Sequence, residues 1–235
     1  MKPGTIFVDV LFVILLFTFV ILTGINAYDF TGETIRYAIS PLGTAVYNDL
    51  GSVELQGKTA KVATFTSKVL WFADTEKIYY EPDTFMPVRV ERDVSTLWGK
   101  EYIIEKYSQD DFVLTIEKFK RGKKVKEYVF KGDGPIHNAI LLPFYLRAVP
   151  ELDIGWSFIA RFPLKFKITL VSMDEIEVSG KKTATYHFVS EPDKFEVWIS
   201  KDAYRIPVKI KGKGGLDYAL IMKEHFIKEE YERKD

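Results

Sequence analysis

From residue 33 to residue 227 the chain is mostly written in a period of two. Glu33, Ile35, Tyr37 and Ile39 fall in one phase, and Thr34, Arg36, Ala38 and Ser40 in the other. That is the pattern of a half-buried strand. Pro41-Leu42-Gly43 turns the chain, and residues 44–56 and 59–69 predict the next two strands, punctuated by Gly51 and Gly57. Residues 77–80 and 88–92 flank Glu81-Pro82-Asp83-Thr84, a hairpin with strong turn chemistry. A meander follows over 101–107, 112–120 and 124–131, turning at Ser108-Gln109-Asp110-Asp111 and at Lys120-Arg121-Gly122-Lys123. Further strands are predicted near 156–162, 165–173, 175–179 and 183–190. Phe195, Val197 and Ile199 share a face, as do Ile206, Val208 and Ile210, and 216–227 makes a last strand.

One internal stretch keeps a different period. In 136–149, Ile136, Ile140, Leu141, Phe144 and Tyr145 fall on one helical face. Asp133-Gly134-Pro135 offers a capping acid and a first-turn proline, and Pro143 predicts a kink. The expected architecture is therefore mainly β. A single curved antiparallel sheet, a half-barrel or open barrel, packs around one internal helix.

Leu70-Trp71-Phe72-Ala73 breaks the alternation with four consecutive apolar residues. It reads either as a covered sheet corner or as an exposed apolar lip at the mouth of the half-barrel. Leu70, Trp71 and Phe72 are thus candidate apolar contact residues. A faint echo links 80–90 with 199–210, since each has a strand, an Asp-containing turn, Pro-Val and a strand. Pro87 and Pro207 cannot donate to a ladder, so each belongs at a strand start or a sheet edge.

The N-terminus adds a second apolar signal. Val10 to Leu22 is interrupted only by Thr18, behind Met1-Lys2, and Ile25-Asn26-Ala27 offers a cleavage site before Tyr28. Residues 1–27 read as a signal peptide or an uncleaved membrane anchor, an apolar helix in either case. Both place the body outside the cytoplasmic membrane, with Lys2 inside. The expected organisation is this segment, a β-rich domain over 28–228 and a charged tail over 229–235.

Composition narrows the chemistry. The chain has 235 residues, 33 basic and 33 acidic, with no cysteine. Neutral charge argues against nucleic acid as the main partner. The absence of thiols removes disulfides and thiolate zinc sites. His137, His187 and His225 show no metal spacing, and no serine sits in a Gly-x-Ser-x-Gly elbow. Gly212-Lys213-Gly214-Gly215 lacks the ending of a phosphate loop. No catalytic residue, cofactor or metal is therefore expected.

Four segments carry a resemblance. Gly32-Glu33-Thr34-Ile35-Arg36-Tyr37, Ile78 to Asp83 followed by Met86-Pro87-Val88, the helix ending Tyr145-Leu146-Arg147, and the hairpin from Val197 to Val208 resemble a bacterial family of secreted proteins. That family is catalogued as a domain of unknown function, numbered three-one-zero-eight. More distantly, the pattern is similar to the envelope lipoprotein carriers, open half-barrels around helices with an apolar hollow for acyl chains. The resemblance implies architecture and an extracytoplasmic compartment, and carries over no catalytic residues. Two functions follow as expectations. One is a non-enzymatic envelope module that binds an apolar or lipid-like ligand. The other is a structural or assembly factor that binds another envelope protein, through a sheet edge or the 70–73 run. Membrane contact is expected at least through residues 1–27.

Overall fold

The computed structural model describes residues 30–213 and 217–228. The expected signal or anchor and the charged tail lie outside the described residues. Strands β1 (Glu33–Ser40), β2 (Thr44–Leu55), β3 (Lys58–Val69), β4 (Phe72–Tyr80), β5 (Pro87–Thr96), β6 (Gly99–Ser108), β7 (Val113–Lys120) and β8 (Lys123–Lys131) form one antiparallel up-and-down meander. A second is made by β9 (Ser157–Arg161), β10 (Lys165–Val178), β11 (Lys181–Glu191), β12 (Phe195–Ser200), β13 (Pro207–Gly212) and β14 (Tyr218–Ile227). The two meet where β14 pairs with β1, Glu33 facing Ile227 and Ser40 facing Ala219. The product is one 14-stranded antiparallel sheet, left unpaired between β8 and β9.

The segment between those free edges crosses the opening. Gly132 N–H donates to the Phe112 carbonyl beside β7, and His137 N–H donates to the Arg161 carbonyl at the end of β9. The chain then enters α1 (Leu142–Ala148), which lies inside the curl of the sheet. Leu141 and Phe144 join a cluster with Ile35, Tyr37, Tyr47, Ile78 and Val90. Leu142 and Leu146 join another with Ile168, Leu170, Phe188, Val197 and Ile199. The Phe144 ring stacks on Tyr47 with centroids 3.9 Å apart. The helix is a wedge whose two faces are buried against the two meanders.

This helix is shorter than the period suggests. Residues 136–141 are not helical, because tertiary partners take up their backbone groups. Ile136 N–H donates to the Gln109 side chain (3.0 Å), and the Gln109 amide returns a bond to the Ile136 carbonyl (2.9 Å). Asp133, expected as a cap, pairs instead with Arg161 and Lys165. Asn138 closes the turn just before the helix, accepting from Ile140 N–H (2.9 Å) and Leu141 N–H (3.2 Å), and the helix itself has no side-chain cap. Pro143 then falls in the first turn, where its missing N–H costs nothing, so it starts the helix and does not kink it.

The other end of α1 is locked by charge. Arg147 makes a two-pronged pair with Glu33 of β1, at 2.7 and 3.1 Å, and its guanidinium lies 3.5 Å from the Phe30 ring centroid. Arg205 donates to the Arg147, Val149 and Pro150 carbonyls, satisfying groups the helix end leaves over. The stretches expected as two strands at 165–173 and 175–179 are the single strand β10. A register shift between Leu170 and Ser172 bends it. The echo between the two proline hairpins is also structural. Pro87 and Pro207 each open a strand, opposite Tyr80 and Ile199, and a register shift precedes each pair. Phe85 and Arg205, each two residues before its proline, both have positive φ.

Candidate functional site

A cavity of about 300 Å³ lies where the N-terminal end of α1 meets the second meander. Leu142 and Pro143 form its helical wall, Val197 and Ile210 its sheet wall, and Phe162, Phe166, Phe195 and Tyr218 supply aromatic faces. The sequence places these rings locally. Phe162 and Phe166 bracket the β9–β10 turn, Phe195 opens β12, and Tyr218 opens β14 opposite Gly212. A methyl group on Gly212 would come within 2.2 Å of the Tyr218 ring, so the ring lies flat on the glycine backbone. Lys194 and Lys213 complete the lining. Lys213 is held by Asp193 (2.8 Å) and Glu196 (2.5 Å). The chemistry offered is an apolar, aromatic slot beside two ammonium groups.

The candidate contact residues lie elsewhere at the same end of the strands. Leu70-Trp71 is the two-residue loop between Val69 and Phe72, which face each other in the ladder. Leu70 is 66% exposed, Trp71 57% and Phe72 37%, so the run is an exposed turn and not a covered corner. None of the three lines the cavity. The structure adds two residues that the alternation did not single out. Leu97-Trp98 is the two-residue loop between Thr96 and Gly99, 67% and 86% exposed. The available signal was the repeated Leu-Trp dipeptide, each time at a point where alternation stops.

Much of the remaining polar chemistry among the described residues is paired within the fold, although Asp74 Oδ1 and Arg92 Nε are buried without a hydrogen-bond partner. His137 sits among Tyr145, Phe158 and Phe162, and burial holds its imidazole down at about 4, with Arg161 pushing the same way. His225 bonds to Glu33 at 2.8 Å, inside the Arg147 pair. His187 stacks on Trp198 and meets Glu196 at 2.8 Å, while its other nitrogen is 3.4 Å from the Ser172 hydroxyl. That hydroxyl donates to Asp174 (2.8 Å), which turns its proton away from the imidazole. On the concave face of the first meander, Asp74, Glu76 and Glu105 surround Arg92. Among the described residues, no group of three or more His, Cys, Asp or Glu is arranged to hold a metal ion.

No family model matches the chain, and no curated protein matches it. Among solved structures it is similar to the beta-barrel-like protein of domain of unknown function DUF1849 from Brucella abortus. The two share 10% identity with a TM-score of 0.50, over 83% of this chain and 97% of that chain. The fold is β-barrel-like. At this identity the likeness carries the fold alone, in a bacterial protein that is itself of unknown function. The comparisons do not extend to the family numbered three-one-zero-eight or to the envelope lipoprotein carriers.

Proposed function

We propose that the protein is a non-enzymatic binding module of the bacterial envelope, which holds one apolar, lipid-like group in the aromatic cavity. The cavity carries this reading. Its volume is at the low end of the roughly 300–1,000 Å³ of ligand pockets. That suits a single acyl chain or ring system, and it is too small for a whole diacyl lipid. Lys194 favours an acidic head on that chain, since Lys213 is already paired with Asp193 and Glu196. The apolar N-terminal run supports export, and the four segments resembling the secreted family support the same compartment. The full chain purified from its own envelope, analysed by native mass spectrometry, should carry a bound small amphiphile. Ala139, exposed at the mouth, offers the control: Ala139→Trp should lose the ligand and keep the melting temperature. Protein that arrives empty, or a ligand retained equally by the variant, would sink the reading.

A second reading, an assembly factor binding through a sheet edge, is favoured by β8. This unpaired edge exposes Val125 and Val129. Lys123, Lys124, Lys126 and Lys131 blunt indiscriminate pairing at that edge, so a partner strand there has to bring acidic residues. A stoichiometric protein partner in the same spectrum would favour this reading over the first.

A further inference from the structure

The four hairpin tips of the first meander stand in one line. Thr44 faces Lys68, Lys68 faces Ala73, Ala73 faces Ser95 and Ser95 faces Lys100, so one ladder row runs beneath the turns from β2 to β6. Lys120 of β7 reaches Glu101 of β6, which brings the β7–β8 tip beside the same row. Strands are spaced about 4.8 Å apart, so neighbouring tips are about 10 Å apart and the row is about 30 Å long.

What these tips carry is not what their backbone needs. The loops are Pro41-Leu42-Gly43, Leu70-Trp71, Leu97-Trp98 and Arg121-Gly122. Two-residue turns favour Asn, Asp and Gly, because central residues adopt positive φ. Elsewhere this molecule follows that rule, using Gln56-Gly57 and Ser179-Gly180. Leu70 holds a φ of +51°, as Gln56 and Ser179 hold 53° and 51°, but tryptophan and not glycine follows it. Two tips place a bare leucine and tryptophan in solvent, and Leu42 on the first tip is 61% exposed.

Charge is segregated to match. Over 40–44, 67–73, 95–100 and 119–124 the charged residues are Lys68, Lys100, Lys120, Arg121, Lys123 and Lys124, with no acid. At the other end of these strands, over the comparable windows 54–59, 79–88 and 107–114, the charged residues are Glu54, Glu81, Asp83, Asp110 and Asp111 against one base, Lys58. The chain as a whole is neutral. Lys120 and Lys124 share carboxylates on the strands behind them, while the tips themselves remain purely basic.

We propose that this row of tips is a docking edge for an anionic lipid surface, with the Leu-Trp turns entering the headgroup and acyl boundary and the flanking lysines on anionic headgroups. Tryptophan and leucine over a basic fringe is the composition that settles at that boundary. The spacing also favours lipid over a protein partner. A stable protein interface needs a continuous patch of about 800 Å² on each side. Separate teeth about 10 Å apart leave gaps that fluid headgroups fill. The edge is independent of the cavity and of what the cavity holds.

The test follows the tryptophans, so that membrane contact by residues 1–27 does not obscure it. The full chain is mixed with vesicles of phosphatidylcholine, with or without phosphatidylglycerol, containing brominated lipid that quenches nearby indole. Trp71 and Trp98 should shift to the blue and lose emission on anionic vesicles, less so at high salt. Trp71→Phe with Trp98→Phe, which leaves Trp156 and Trp198, should show neither effect at an unchanged melting temperature. Lys68→Glu with Lys100→Glu should abolish the quenching of Trp71 and Trp98. Equal quenching in the double phenylalanine variant, or tip tryptophans that stay in water on anionic vesicles, would overturn the proposal. So would a stoichiometric protein partner lost on Trp71→Ser with Trp98→Ser while no quenching is seen.

Discussion

Glu76 shows what alternation conceals at the scale of one residue. In β4 the inward phase is Phe72, Asp74, Glu76, Ile78 and Tyr80, so two carboxylates share the concave face with core residues. Read along the chain they look like the polar phase of a half-exposed strand, because Thr75 and Lys77 beside them are polar too. Burial pushes the Glu76 carboxyl up to about 7, the charges of Asp74 and Glu105 adding to the rise and Arg92 opposing it. Below its ordinary 4.5 the group is neutral whether the chain is folded or not, so burial costs nothing there. Between 4.5 and about 7 the folded protein holds the proton more tightly, and stability falls as pH rises. At about 1.4 kcal/mol per pKa unit the loss is on the order of 3 kcal/mol. His137 works in the opposite sense. Its depressed pKa makes stability rise with pH from about 4 towards its ordinary 6.5. The two slopes overlap in the wild type, so the difference between proteins is the informative quantity. Glu76→Gln should gain on the wild type from pH 5 to about 7 in urea unfolding, and the gain should level off above that. A constant difference across that range would mean that Glu76 ionises normally.

At the scale of elements, the strands were legible, because each pairs with a sequence neighbour and carries its turn residues with it. The hairpin expected at 77–80 and 88–92, however, is the longer pair Phe72–Tyr80 and Pro87–Thr96, the apolar break at 70–73 having hidden where β4 starts. Two readings failed for different reasons. Gln109 and Arg161, distant in sequence, took the backbone of 136–137 out of the helix, whereas the ladder to the neighbouring β11 runs unbroken through Met173, Asp174 and Glu175 and makes two apparent strands into one β10. What survived was the identity of the buried face. Phe144 was expected beneath the sheet and is 4% exposed, stacked on Tyr47. Because α1 packs on both meanders, emptying this site removes contacts that the short helix cannot recover by shifting. Phe144→Ala should cost about 3–5 kcal/mol in equilibrium unfolding, the usual range for truncating a buried aromatic residue. A loss below about 1 kcal/mol would show that the wedge is dispensable. The cavity was less legible than the core, since its rings come from three separate turns. The Leu-Trp tips were half legible. A broken alternation marked Leu70-Trp71, but a single broken run does not reveal that a second lies level with it two strands away.

For the whole molecule, the feature with no local trace is the closure of the sheet. β1 pairs with β14 across a contact such as Glu33–His225, 192 residues apart, while β8 and β9, separated by one crossing segment, do not pair at all. Every other ladder joins consecutive strands. The chain therefore makes one very distant pairing where the sheet is continuous and spends its short connection where the sheet is open. Distant pairings slow folding, because loop entropy is lost before the contacts form. The structure shows how to remove that penalty without changing the folded state. Lys228 N–H bonds to the Gly32 carbonyl at 3.2 Å, so the ends of the described chain are neighbours. Asp153 and Ile154 are exposed in the segment before β9. A circular permutant joining residue 228 to residue 30 by a short flexible linker, and opened between Asp153 and Ile154, begins at β9 and ends after α1. In it every ladder joins consecutive strands. Equilibrium stability should stay close to that of the unpermuted 30–228 chain. In stopped-flow experiments the folding arm should rise and the unfolding arm should hardly move, because the permutation acts on the route to closure. A permutant that folds no faster at equal stability would mean that β1 and β14 are not the last strands to meet.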